Sequence, residues 1–184
     1  MEQILSLEIV LSLLRDEGHV RAIAKRIGVN HMTVSRALKG LVKDNVVDYK
    51  TVGRSKVYSI KKSLEAQNVV LMAEAYKRNK AFEKYPVLRR IASFLEKRND
   101  ISLAAVFGSY AKGLAKKDSD VDLFVESEDR KLCDVIEGVD SRLSVKIGRY
   151  EKDNPLVGEI GRDHVILKGL EVFYERSGVF AAAV

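Results

Sequence analysis

Two aspartates one residue apart, Asp120 and Asp122, stand in the run SDVDLFVE, and ten residues separate them from a Gly-Ser pair, Gly108-Ser109. Val121, Leu123 and Val125 alternate with the acids. The run therefore reads as a strand, apolar on one face and acidic on the other. Carboxylates so placed have backbones about 7 Å apart. Without a partner they repel. A divalent cation between them removes the repulsion, and Mg²⁺ is commonly held by one or two carboxylates plus phosphate oxygens. Two such ions can activate a nucleophile and hold a leaving phosphate. The Gly-Ser pair fits that chemistry. Gly108 lets a phosphate approach the backbone, and Ser109 offers a hydroxyl and an N–H. For an Asp-x-Asp taken alone, a solvated edge strand or a helix cap is the plainer reading.

The surrounding segments must position these groups. Leu103 to Phe107 is an apolar run that predicts a buried strand, stopped by Gly108-Ser109. YAKGLAKK predicts a short helix or turn containing Gly113. Pro86 ends one helix, and VLRRIASFLEKRND predicts the next, with Leu88, Ile91 and Leu95 inward. After the acidic strand, a helix over 129–139 leads to SRLSVKIGRYEKD, where Leu143, Val145 and Ile147 form the core face of a strand. Its other face carries Ser144, Lys146 and Gly148, with no acid; Asp140 precedes the strand, and Glu151 and Asp153 follow it.

Gly108-Ser109, ten residues, then Asp120-x-Asp122 after an apolar strand resembles the active-site signature of the DNA polymerase β-like nucleotidyltransferases. It is most similar to their minimal, small prokaryotic group. The resemblance covers residues 87–184, where NPLVGEIGRDHVILKGLEVF is similar to the closing helix and strand of those domains. Pro155 suits that helix's first turn. The resemblance implies that Gly108 and Ser109 bind a nucleoside triphosphate, ATP or another. It implies that Asp120 and Asp122 are catalytic and hold Mg²⁺ in a two-metal site. A nucleoside monophosphate then passes to a hydroxyl, with release of pyrophosphate. One departure is plain. The superfamily has a third carboxylate on the next strand, and Lys146 would put positive charge where a metal is expected.

The first third of the chain has another character. Residues 1–62 carry 12 Lys/Arg against 6 Asp/Glu, whereas residues 63–184 carry 20 of each, so the whole net charge of +6 lies in the first segment. Such asymmetry points to an anionic polymer as partner. Ile4, Leu7, Leu11 and Leu14 recur at helical spacing in residues 3–15. Val20, Ile23, Ala24 and Ile27 predict a short helix stopped at Gly28. Asn30 is a good N-cap for a third, with Val34, Leu38 and Leu41 buried. VVDYKTVGRSKVYSI predicts two strands around Gly53. Three helices and a basic hairpin resemble a winged helix-turn-helix over residues 1–62. The resemblance implies a third helix in the major groove of duplex DNA and a hairpin on the backbone or minor groove. His31, Met32, Thr33, Ser35, Arg36 and Lys39 are then the exposed positions of the third helix. Arg36 could read guanine, and Thr33 and Ser35 suit phosphate or base edges. Arg54 and Lys56 at the wing tip suit phosphate. Such modules also serve as protein-docking units.

Between the two lies Ser63–Lys84, free of Gly and Pro, which predicts a long helix in a linker over 63–86. Its apolar residues, Leu64, Leu71, Ala75 and Phe82, are sparse, and it could pair with a second copy. The chain is 184 residues long, 46% hydrophobic and 32% charged, which excludes disorder and allows one domain or two small ones, and the two resemblances together imply an α+β fold in two domains. No apolar run is long enough to cross a membrane, and Glu2 and Gln3 stand where a signal peptide would be basic. Cys133 is the only cysteine, which fits a reducing cytoplasm. His19, His31 and His164 lack zinc-site spacing.

Three functions follow from these readings. One is a DNA-binding transcription regulator whose second domain binds Mg-ATP or another triphosphate and transfers a nucleotidyl group. Another is an antitoxin-type enzyme that adds AMP to a HEPN-type toxin partner. The third is a degenerate nucleotide sensor without turnover. Helix-turn-helix proteins usually bind DNA as two-fold dimers, so a homodimer is expected.

Overall fold

A computed structural model describes residues 2–180. The chain divides between Tyr76 and Lys77 into two compact units.

The first unit opens with α1 (Glu2–Arg15), a two-residue strand β1 (Gly18–His19), α2 (Val20–Ile27) and α3 (His31–Lys43). The sharp step from α2 to α3 has a local cause. Gly28 caps α2 in the left-handed region at φ 68°, where a side chain costs energy. Two residues on, the Asn30 side chain accepts a bond from the Met32 N–H at 2.8 Å and starts α3. Ile9 and Val10 of α1, Ile23 of α2, and Val34 and Leu38 of α3 are fully buried. The hairpin β2 (Val47–Val52) and β3 (Ser55–Ile60) follows, with Gly53 in its turn at φ 59°. β1 adds a third strand to it, in the order β1-β3-β2, all antiparallel. The helices and hairpin follow the sequence expectation. The strand β1 does not, because a two-residue strand carries no periodicity and exists only through its pairing with Tyr58 and Val57.

The long helix α4 (Leu64–Lys84) runs out of the first unit and into the second. Its buried positions are Ala66, Val70, Ala73 and Glu74. The expected apolar positions are not these. Leu64 is 77% exposed, and Leu71 and Ala75 are half-buried. Phe82, also expected to be apolar, is partly buried against the core of the second unit.

The second unit holds α5 (Pro86–Glu96), β4 (Ala104–Val106), α6 (Gly108–Ala111), β5 (Val121–Glu126), α7 (Leu132–Glu137), β6 (Leu143–Gly148), α8 (Pro155–Arg162), β7 (Val165–Lys168) and α9 (Leu170–Ser177). Pro86 and Pro155 sit in the first turns of α5 and α8, where a missing N–H costs nothing. The four strands form one mixed sheet in the order β6-β5-β4-β7. β5 and β6 are parallel; β4 pairs antiparallel with both β5 and β7. The core includes Leu88, Ile91 and Leu95 of α5, Val121, Leu123 and Val125 of β5, and Leu143 and Val145 of β6. Burying each such side chain is worth about 1.5–3 kcal/mol. The unit is α+β, and its mixed sheet is consistent with a nucleotidyltransferase fold.

Candidate functional site

β4 and β5 create the site at one end of the mixed sheet. All of β4 is buried, and its chain turns as it leaves the sheet at Phe107 and Gly108. The Phe107 N–H donates to the Asp122 carbonyl at 3.0 Å, which fixes the turn beside the acidic strand. Gly108 then takes φ 66°, and a Cβ built on it would lie 2.5 Å from Asp122 Oδ2. Only glycine allows that contact, for both conformational and steric reasons. Ser109 follows in α6, with its carbonyl accepting the Leu114 N–H at 2.9 Å. Gly108, Ser109 and Asp122 are thus brought together, as expected from their spacing.

The strand alternation holds only in part, because Phe124 and Glu126, on the same face as Asp122, are buried as well. Val121, Leu123 and Val125 enter the core, Asp122 is half-buried on the opposite face, and Asp120 is exposed just before β5 begins. The Asp122 carboxyl is pushed above the usual carboxylate range, first by burial, then by the negative charges of Asp120 and Glu159; Lys146 pulls it back. An anion held where it is disfavoured is a good place for a cation.

The parallel register of β5 and β6 decides what else shares that face. Ser144 stands beside Asp122, and Lys146 beside Phe124. No carboxylate of β6 faces the acidic pair. Asp140 supplies none either. Its carboxylate is bound by Arg142 at 3.0 Å and also by Arg90, and these guanidinium groups hold it below the usual range. Glu159 is the acid the sequence reading missed. It comes from α8, near enough to Asp122 to raise it, and pairs with Lys112 at 3.3 Å. No linear spacing connects Glu159 to the motif. Its only signal was a position among the polar residues of the amphipathic α8. Among the described residues, no cluster of three or more His, Cys, Asp or Glu has metal-binding geometry. The donor set is two carboxylates, and the Gly108 backbone lies directly against one of them.

In the first unit the expected basic surface lies on α3 and the hairpin. His31, Thr33, Arg36 and Lys39 are exposed, Ser35 is half-buried, and Met32 is 64% exposed. Thr33 and Arg36 line a groove of about 250 Å³ with Leu5 and Ser6 of α1. Arg54 and Lys56 are exposed at the hairpin tip, and Lys56 Nζ lies 3.8 Å from the centre of the Tyr49 ring. Lys56 also lines a cleft of about 550 Å³ with His19, Arg21, Ser55 and Tyr58. His19 and Arg21 were not read as part of this surface. They reach it because β1 pairs with β3.

No helix among the described residues is long and apolar enough to cross a membrane. Residues 88–171 match the family model described as a nucleotidyltransferase domain. No match to a curated protein accompanies it.

Proposed function

We propose, taking as premise the nucleotidyltransferase domain carried over residues 88–171, that the chain is a DNA-binding regulator whose second unit binds a nucleoside triphosphate with Mg²⁺. Asp120 and Asp122 hold the cation, and Gly108 and Ser109 approach the phosphates. The observation that carries this reading is the contact of Gly108 with Asp122, where a Cβ would fall 2.5 Å from the carboxylate oxygen. The absence of a side chain lets the Gly108-Ser109 turn lie directly against the Asp122 carboxylate, so that a phosphate-binding backbone and a cation ligand would adjoin. Bound Mg²⁺ would supply charge neutralisation and polarisation of the phosphoryl group. The residues themselves bind and orient. Burial and the charge of Asp120 raise the Asp122 carboxyl, so a cation there competes with its proton. The Ser109 hydroxyl and N–H are donors to phosphate oxygens. The reading is tested by titrating Mg-ATP into the protein and its aspartate variants.

Whether the domain turns its nucleotide over depends on Lys146. Its charge acts on Asp122, and it stands on the face where the superfamily resemblance calls for an acid. This favours, as a second reading, a sensor that binds nucleotide without transfer. Lys146→Asp adds a carboxylate on that face and should tighten Mn²⁺ binding about tenfold, the effect of a shift near 1.4 kcal/mol. Any transfer of label from [α-³²P]ATP should rise with it. A wild-type protein that transfers AMP briskly, and loses the activity in this variant, would end the sensor reading.

The DNA-binding part rests on the charge asymmetry and on the order of three helices and a β-hairpin. Contact with about five phosphates gives a log–log salt slope of roughly −4 to −5. Arg36→Ala should flatten sequence preference, and Arg54→Ala should weaken all sequences alike. Electrophoretic shift across a salt series measures both. Absence of binding at low salt would exclude this role.

A further inference from the structure

The second unit has a cavity of about 270 Å³ that neither the acidic pair nor the basic surface of the first unit uses. Four cationic side chains line it: Lys84, Lys116, Lys117 and Arg142. Its apolar wall includes Tyr85 and Tyr110, whose rings meet edge-on with centroids 4.8 Å apart. The volume is close to the lower bound of about 300 Å³ for small-ligand sites.

The cations are not all committed. Arg142 is bound to Asp140, and Asp118 also acts on it. Lys84 Nζ donates to the Gly113 carbonyl at 2.8 Å, an uncharged partner. Lys116 and Lys117 are exposed on the loop and enter no ion pair among the described residues. Two carboxylates therefore face four cations, and an anion would relieve the excess. Tyr85 adds a buried hydroxyl with no hydrogen-bond partner, an uncommon feature in a folded interior. Charge and rings together select an anion carried on a flat or apolar body.

The cavity is joined to the acidic pair by covalent and hydrogen-bonded structure. Ser119, the residue before Asp120, accepts the Lys116 N–H through Oγ at 2.9 Å and the Tyr110 hydroxyl through its carbonyl at 3.4 Å. On the other side of Asp120, the Val121 N–H donates to the Arg142 carbonyl at 2.8 Å. We infer that this pocket, joined structurally to the acidic pair, binds a phosphate monoester on a planar body, of nucleoside-monophosphate class. Only its role in the transfer rests on the nucleotide reading above. The binding itself needs no metal.

Calorimetry of the full chain with AMP in EDTA tests this, with adenosine as the uncharged control. AMP should bind, and adenosine should bind at least about tenfold more weakly, since one charge-assisted phosphate contact is worth that much. Lys116→Ala/Lys117→Ala should weaken AMP on the order of tenfold, with an unchanged circular dichroism spectrum. Lys131→Ala/Lys152→Ala, two exposed lysines that do not line the cavity, should change nothing, which separates the pocket from general surface charge. Absence of AMP binding, or binding undiminished in the Lys116/Lys117 variant, overturns the proposal. Saturating Mg-ATP then identifies the source. Displacement of AMP means that the pocket takes the nucleotide's own phosphate. Simultaneous binding means a phosphate-bearing acceptor. Asp122→Asn is expected to leave AMP binding in EDTA intact. A variant that keeps Mg-ATP affinity would end the acidic-pair reading while the pocket stood.

Discussion

Asp122→Asn should remove Mg-dependent ATP binding by on the order of 100-fold or more, the cost of leaving a charged ligand without its partner. Asp120→Asn should act in the same direction. The fold should survive both, because Asp120 is exposed and Asp122 half-buried outside the apolar core. Stability should move the other way. Asp122 is raised by burial, by Asp120 and by Glu159, so the folded state favours its protonated form. That contribution is present below the unfolded carboxylate value, about 3.9, and is lost as pH rises through the higher folded value. The Asn variant lacks this loss. It should melt above the wild type at neutral pH, and the gap should close in acid. Metal affinity of the wild type should fall with acidification earlier than for an ordinary carboxylate, since proton and cation compete. Calorimetry and melting curves from acid to neutral pH check all of these. Unchanged Mg-ATP affinity in both variants would remove the aspartates from the site.

Gly169→Ala should give the largest loss of stability. Gly169 joins β7 to α9 at φ 75°, and a Cβ there would lie 2.0 Å from the Ser102 carbonyl and 3.0 Å from Leu103 Cα. The obstacle is backbone, which cannot rotate away. Left-handed strain and forced overpacking together cost about 3–5 kcal/mol. At about 4–8 °C per kcal/mol for a domain of this size, the melting temperature should fall by more than about 10 °C. The damage reaches the site along the sheet. β7 pairs with β4 through Lys168 and Ala104, and β4 leads directly into Gly108. Nucleotide affinity should therefore fall with stability, although Gly169 touches no acid of the pair. Differential scanning calorimetry decides it: a shift under about 2 °C would show that the Ser102 segment yields easily.

Much of this was legible in the linear order of residues because it is local. Alternation of Val121, Asp122, Leu123 and Val125 sets two faces of a strand wherever that strand lies. Gly28 and Asn30 mark a helix end and a helix start through their own backbone and side-chain bonds. The confinement of net charge to residues 1–62 needs no fold at all. The spacing from Gly108-Ser109 to Asp120-x-Asp122 lies within residues 88–171, which match the family model of a nucleotidyltransferase domain.

Other features belong to tertiary structure because they depend on distances between segments far apart in the chain. The register of β5 on β6 set Ser144, not an acid, beside Asp122. Packing tied Asp140 to Arg142 and Arg90 and brought the charge of Glu159 on α8 within range to act on Asp122. Pairing of β1 with β3 brought His19 and Arg21 to the hairpin surface. Tertiary packing buried Ala66, Val70, Ala73 and Glu74 of α4 and left Leu64 exposed. The sequence by itself determined which side chains could bind metal and phosphate. Only the folded sheet decided which charges would surround them, because electrostatic energy depends on separation in space and not along the chain.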